Sequence, residues 1–193
     1  MKISYIYGII LSKCVYKGGS GMLIVEYLYL TRYTMGLFPF FHDKQMWTKV
    51  LEEDGEIIVK QKPMEIIEQS CLYYGASLRG RKDGARHIIG TSHKAPIAIE
   101  PTNEIFFFPT ISPMNPQCVW LSHLHIRHHE HVQGGKTRIT FSNGTIVELC
   151  ISHHSFINQL HRTAQLRTKM NERIEARERK MMYLLYLREK ELS

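Results

Sequence analysis

TRITFSNGTIVELCIS, residues 137–152, is the stretch on which the fold reading turns. Two runs alternate apolar and polar residues on either side of Asn143-Gly144, a pair suited to a tight turn that needs positive φ. That pattern is a β-hairpin, so at least part of the chain is an antiparallel sheet with one wet face. Directly after Ser152 the period changes: Phe156, Leu160, Thr163, Met170 and Ile174 recur at helical spacing. Arg162, Arg167, Lys169 and Arg173 fall largely off that stripe, which predicts a long amphipathic helix with a basic outer side.

Working outward from the hairpin, residues 22–30 (MLIVEYLYL) and 56–60 (EIIVK) read as strands. A helix opens at Pro63, carries Met64, Ile67, Cys71 and Tyr74 on one side, and ends at Gly75. The segment ASLRGRKDGARHIIGTSHKAP, with Gly80, Gly84, Gly90 and Pro96, reads as loops broken by one short element. PIAIEP and EIFFFP are short strands joined by a turn at Thr102-Asn103, and VWLSHLHIRHHEHV reads as one strand with a wet face. The expected fold class is α+β: an antiparallel, barrel-like sheet core with a central helix and a long C-terminal helix. Residues 1–21 form an N-terminal extension, 22–178 the main domain, and 179–193 a helical tail suited to oligomerisation.

Composition narrows the function. The 193 residues are 44% hydrophobic and 22% charged, with net charge +7, so a polyanionic partner is favoured over a cationic one. Residues 76–94 and 152–193 each carry +4, whereas 52–75 carry −4. No run approaches the roughly 18 apolar residues a membrane span needs, and no membrane partner is expected. Four scattered cysteines without a C-x-x-C pair suit a reducing cytoplasm.

Two clusters carry chemistry. His123, His125, His128, His129 and His131 lie within nine residues, and His-x-His on a strand puts two imidazoles on one face. A metal-dependent nuclease or hydrolase built on that run is one reading; imidazoles lining a wet anion-binding groove is the other. No phosphate-binding loop, nucleophile elbow or H-E-x-x-H motif is present, so neither an enzyme nor a cofactor is expected. The second cluster is Arg79-Gly80-Arg81-Lys82. Two guanidinium groups astride a glycine in a loop suit the narrow, electronegative minor groove of A·T-rich DNA. His93 and Lys94 follow within sixteen residues of it, on the same basic segment. A general RNA-binding or protein-interaction module on this surface is a further alternative.

Six phrases then occur in register: S-C-x-x-Y-G at 70–75, G-R-K-x-G at 80–84, S-H-K-x-P-I at 92–97, F-P-T at 108–110, P-Q-C-x-W-x-S-H-x-H at 116–125 and F-S-N-G at 141–144. In order and spacing they resemble the ComK family of competence transcription factors, from about Glu26 to the C-terminus. The resemblance implies a cytoplasmic, nucleoid-associated activator of DNA-uptake and recombination genes. It also implies binding of paired A/T-rich boxes through the minor groove, DNA bending, and assembly as a homodimer or larger on promoters. The residues expected to meet DNA are Arg79, Arg81, Lys82, His93, Lys94, Arg162, Arg167 and Lys169, with Arg79 lying outside the family phrase. Family members can carry a short aromatic-aliphatic motif, read by a proteolytic adaptor, before the last helix. Here ARERKMMYLLYLREKEL runs straight on, which leaves the adaptor as an open partner.

Overall fold

The computed structural model describes residues 4–6, 9–11, 14–16, 23–91 and 93–191, so most of the N-terminal extension lies outside the described residues. Short strands β1 (Ser4–Ile6) and β2 (Ile9–Leu11) pair with each other, and β3 (Cys14–Tyr16) pairs with β4 (Leu23–Val25). The main sheet continues through β5 (Thr34–His42), β6 (Gln45–Glu52), β7 (Gly55–Val59), β8 (Ile97–Glu100), β9 (Ile105–Pro109) and β10 (Trp120–Ser122). Its order is β3-β4-β7-β6-β5-β10-β9-β8, antiparallel except where β4 runs parallel to β7. The sheet is open, so the expected barrel-like closure is absent while the α+β class holds.

A second sheet of β11 (Ile126–Val132), β12 (Lys136–Phe141) and β13 (Ile146–Leu149) contains the hairpin predicted around Asn143-Gly144. Gly144 takes φ +86°, the conformation that its position in the turn demands. The expected single strand over 119–132 is instead two strands in two sheets. His125 breaks it: its ring is buried and hydrogen-bonded on both nitrogens, which holds the chain in the bend where it leaves one sheet for the other.

Three layers result. Helix α1 (Pro63–Tyr73) covers one face of the main sheet, burying Ile66, Ile67 and Cys71 against Leu37, Val50, Ile97, Phe107 and Trp120. The opposite face places Met35, Leu51, Phe108 and Leu121 against Ile139, Phe141 and Leu149 of the second sheet and Phe156 of α3 (His153–Glu191). Strand β9 serves both faces, since Ile105 and Phe107 point one way while Phe106 and Phe108 point the other. Its reading as an unbroken apolar run follows from that double burial.

The largest correction concerns residues 78–89. They are not loop but helix α2 (Leu78–Ile89), with Gly80 and Gly84 inside it. Each interior glycine costs about 1 kcal/mol relative to alanine, and end signals outweigh that cost. Ser77 Oγ accepts the Gly80 N–H at 3.0 Å, and Gly90 closes the helix in a left-handed conformation with φ +70°. Ala85, Ile88 and Ile89 then pack with Ala98 and Phe106 of the sheet and Leu166 and Met170 of α3. Helix α2 thereby shields edge strand β8.

Candidate nucleic-acid interface

Helical geometry redistributes the basic residues. At about 100° per residue, Arg79, Lys82 and Arg86 share one stripe of α2, whereas Arg81 points roughly 200° away from Arg79. Arg79 and Arg86 are exposed, and Arg79 Nε stands 3.9 Å from Asp83, a loose surface pair one turn on. Arg81 is half-buried on the inward side, with its Nε enclosed and unpaired. It lies near Cys71, whose thiol burial pushes up to about 11 against the opposing pull of Arg81 and Lys82. Two arginines flanking a glycine in an extended loop, as the sequence suggests, are therefore replaced by one outward and one inward arginine.

The turn holding His93 and Lys94 is fastened by α3. Gln159 is buried, and its Nε2 donates to the Lys94 carbonyl at 2.7 Å and the Pro109 carbonyl at 2.9 Å. Arg162 Nη1 adds longer contacts to the His93 carbonyl (3.5 Å) and to Gln159 Oε1 (3.4 Å). Lys94 itself sits at φ +50°. This clamp fixes the backbone under His93 and Lys94 and leaves His93 exposed.

Two further bases of α3, Arg167 and Lys169, tie it to other elements. Arg167 is hydrogen-bonded through Nε and Nη2 to Glu104 in the β8–β9 turn. Lys169 Nζ donates to the Ile88 carbonyl at 3.1 Å, in the last turn of α2, where a cation is favoured. Of the eight expected DNA contacts, Arg79 and Lys82 share the α2 stripe, and His93, Lys94 and Arg162 gather at the clamped turn. Arg81, Arg167 and Lys169 face the protein. Sequence reasoning missed Arg86, which the spacing 79-82-86 would reveal once the segment is recognised as helix, and Gln159, whose long-range role no local pattern displays.

The histidine run disperses. His123 Nδ1 is enclosed without a partner, and burial, reinforced by Arg167 and opposed by Glu104, lowers its pKa to about 4. His125 bonds Ser142 Oγ at 2.9 Å and the Arg32 carbonyl at 2.7 Å, with Glu53 3.3 Å away. His129 Nδ1 lies 2.9 Å from His153 Nε2, and its ring packs on Phe156. Among the described residues no group of three or more His, Cys, Asp or Glu side chains is placed to hold a metal ion. The metal-hydrolase alternative is accordingly not favoured. Among the described residues no helix is long and apolar enough to cross a membrane.

An open α+β sheet with a cationic helix at its edge defines the class of this fold. Comparison with known proteins gives that class a family. The sequence model of the ComK protein matches residues 25–175, from β4 into the outer half of α3. A competence transcription factor of Bacillus subtilis (strain 168) is 41% identical over 157 residues, 81% of this chain and 82% of the relative. The chain belongs to the ComK family. No solved structure matches it.

Proposed function

We propose that the protein is a competence transcription factor that binds A/T-rich duplex DNA, as a homodimer or larger assembly on paired boxes, through the minor groove. The observation that carries this reading is similarity to a competence transcription factor over four-fifths of both chains. The cationic stripe of α2 supports it. Arg79, Lys82 and Arg86 span about 10 Å of helix, a length that meets successive phosphates of one strand. Beside them, His93 and Lys94 are the residues best placed to approach the groove, on the turn that Gln159 and Arg162 hold. Arg167 and Lys169 contribute by fixing the β8–β9 turn and α2 in position, while Arg81 is turned toward the protein.

The test is fluorescence anisotropy on A/T-rich and G/C-rich duplexes of equal length, with a minor-groove-binding polyamide as competitor. Tighter binding to the A/T-rich duplex and displacement by the polyamide are expected. Arg86→Ala should weaken all sequences alike and lower the slope of log K against log salt by about one unit. Equal affinity for both duplexes, untouched by the polyamide, would overturn minor-groove reading.

A further inference from the structure

Among the described residues outside α3, the most exposed aromatic side chain is Phe41 on β5, which pairs with β6. Strand β10 pairs with β5 only at Gly36 and Leu37, and β7 pairs with β6 only from Thr48 onward. Residues 38–47 therefore run on as a two-stranded ribbon whose outer edges have no sheet partner among the described residues. Asp43 and Lys44 close it with φ of 45° and 64°, a two-residue turn whose hand suits the strand twist.

The two faces of this ribbon differ. On one, Phe40 stands opposite Trp47, and His42 lies 4.4 Å from the Trp47 ring and 6.1 Å from Phe40. Lys60 Nζ sits 5.7 Å from the Trp47 centroid, so this face is internally stacked. The other face offers Phe41, 59% exposed, opposite Met46. A single exposed phenylalanine is ordinary. One held at the tip of a braced ribbon, beside cations, is a feature shaped for a partner.

Topology supplies the cations. The antiparallel order places the end of β5, the end of β7 and the start of β8 at the same end of the sheet. Lys44 closes the ribbon and Lys60 lies against its Trp47, while Lys62, His93 and Lys94 stand at the same end of the sheet, the last two on the far side of β10 and β9. Glu26 and Glu65 partner Lys60 and Lys62, and Asp43 sits at the tip. A polyanion that approaches His93 and Lys94 meets the ribbon on the same end.

We propose that this ribbon enters the minor groove and that Phe41 wedges between adjacent base pairs, making the ribbon the element that kinks the duplex. The inference rests on the DNA-binding reading above. Apolar side chains inserted at a base step open kinks of about 20–90°, and pyrimidine–purine steps, frequent in A/T-rich boxes, unstack most easily. Lys44 at the turn then meets the flanking phosphates, and the stacked face of Phe40, His42 and Trp47 keeps the ribbon stiff.

The test uses the full chain and an A/T-rich duplex with 2-aminopurine at a TA step and a donor–acceptor dye pair at its ends. Wild-type protein should raise the 2-aminopurine emission several-fold and shorten the end-to-end distance. Phe41→Ala should keep the thermal midpoint, lose most of both signals, and bind about tenfold more weakly; Phe41→Leu should retain part of each. Wild-type protein that binds without unstacking the step would overturn the wedge while leaving DNA binding intact. Failure of wild type to bind any duplex would instead remove the DNA-binding reading, and the wedge with it. A Phe41→Ala chain that unstacks and bends DNA like wild type but fails to activate transcription in vitro would assign the ribbon to a protein partner and overturn the proposal.

Discussion

Helix α3 is one continuous helix with two unlike halves. From His153 to Met170 its apolar residues recur every three or four positions, and Phe156, Gln159, Thr163 and Leu166 are each almost wholly buried. Its bases there are tied to named partners: Arg162 to the His93 turn, Arg167 to Glu104, Lys169 to α2. From Met181 to Leu187 seven consecutive residues are apolar or aromatic, and all are exposed, between 38% and 68%. Seven neighbours at 100° per residue point to every side of a helix, so no single groove of the same domain can take them. The difference teaches that apolar content says little about a helix until its period is read. A stripe belongs to the chain's own core, and a girdle calls for a partner.

Phe156→Ala is the strongest test of the buried half. The ring packs edge-on to Phe108 with centroids 5.9 Å apart, and its loss should cost about 3–5 kcal/mol in urea unfolding. Leu184→Ala in the outer half should stay within about 0.5 kcal/mol of wild type. Equal losses at the two positions would break the distinction between the halves.

The next effect is a pH dependence beside the buried half, where His123 lies against Arg167. Its folded pKa is depressed from 6.5 to about 4, so the stability it contributes is complete above pH 6.5 and is lost as pH falls toward 4. Glu52, buried at the end of β6, is shifted the opposite way by its own burial, from 4.5 to about 7. Its contribution is complete below pH 4.5 and is lost as pH rises toward 7. Shifts of this size amount to about 3 kcal/mol each as an upper bound. Between pH 4.5 and 6.5 the two slopes oppose. Chemical denaturation across pH 4–8 should show His123→Asn becoming relatively more stable as the solution is acidified, and Glu52→Gln relatively more stable as it is made alkaline. Parallel curves for both variants would refute the assignment.

Smaller still is the effect of Lys169. Removing its bond to the Ile88 carbonyl should cost about 1 kcal/mol, while DNA affinity falls less than for Arg86→Ala. A larger loss of DNA affinity at Lys169, with stability unchanged, would restore the direct phosphate contact that its charge suggested in sequence.

What was legible in the sequence, and what was not, divides along the same line of local against long-range information. The Asn143-Gly144 hairpin, the Pro63 helix and the β8–β9 pair each carry their own turn or cap, and all appear as read. Helix α2 was obscured because Gly80 and Gly84 signal turns, while the serine cap at 77 and the left-handed Gly90 that decide the matter are single residues. The β5–β6 ribbon drew no reading at all. Pro39 argues against a strand, yet it is tolerated here because β10 stops at Leu37 and leaves that edge unpaired. Of the candidate interface, charge and family phrases pointed to the segments that hold its cations. Which cations face outward depends on helix phase and on Gln159, a contact made across 50 to 65 residues of chain.

The last prediction concerns the outer half itself, where the expected change in stability is smallest. Seven side chains of this size at their observed exposures offer about 100 Å² each, or about 700 Å² per chain, so about 1,400 Å² is the upper limit for two copies, reached only where the partner surrounds the girdle. Two-fold pairing through this girdle would also present two identical cationic surfaces to paired boxes. Ending the chain after Lys180 should therefore leave a folded chain, because Met181 to Leu187 contribute nothing to the described core. Sedimentation equilibrium should give a dimer for the full chain and a folded monomer for the shortened one. On DNA the shortened chain should bind a single box with unchanged affinity, and should lose the extra affinity that two correctly spaced boxes confer. A shortened chain that remains dimeric and equally tight on paired boxes would remove the girdle as the interface. A shortened chain that unfolds would show that the outer half, despite its exposure, supports the buried one.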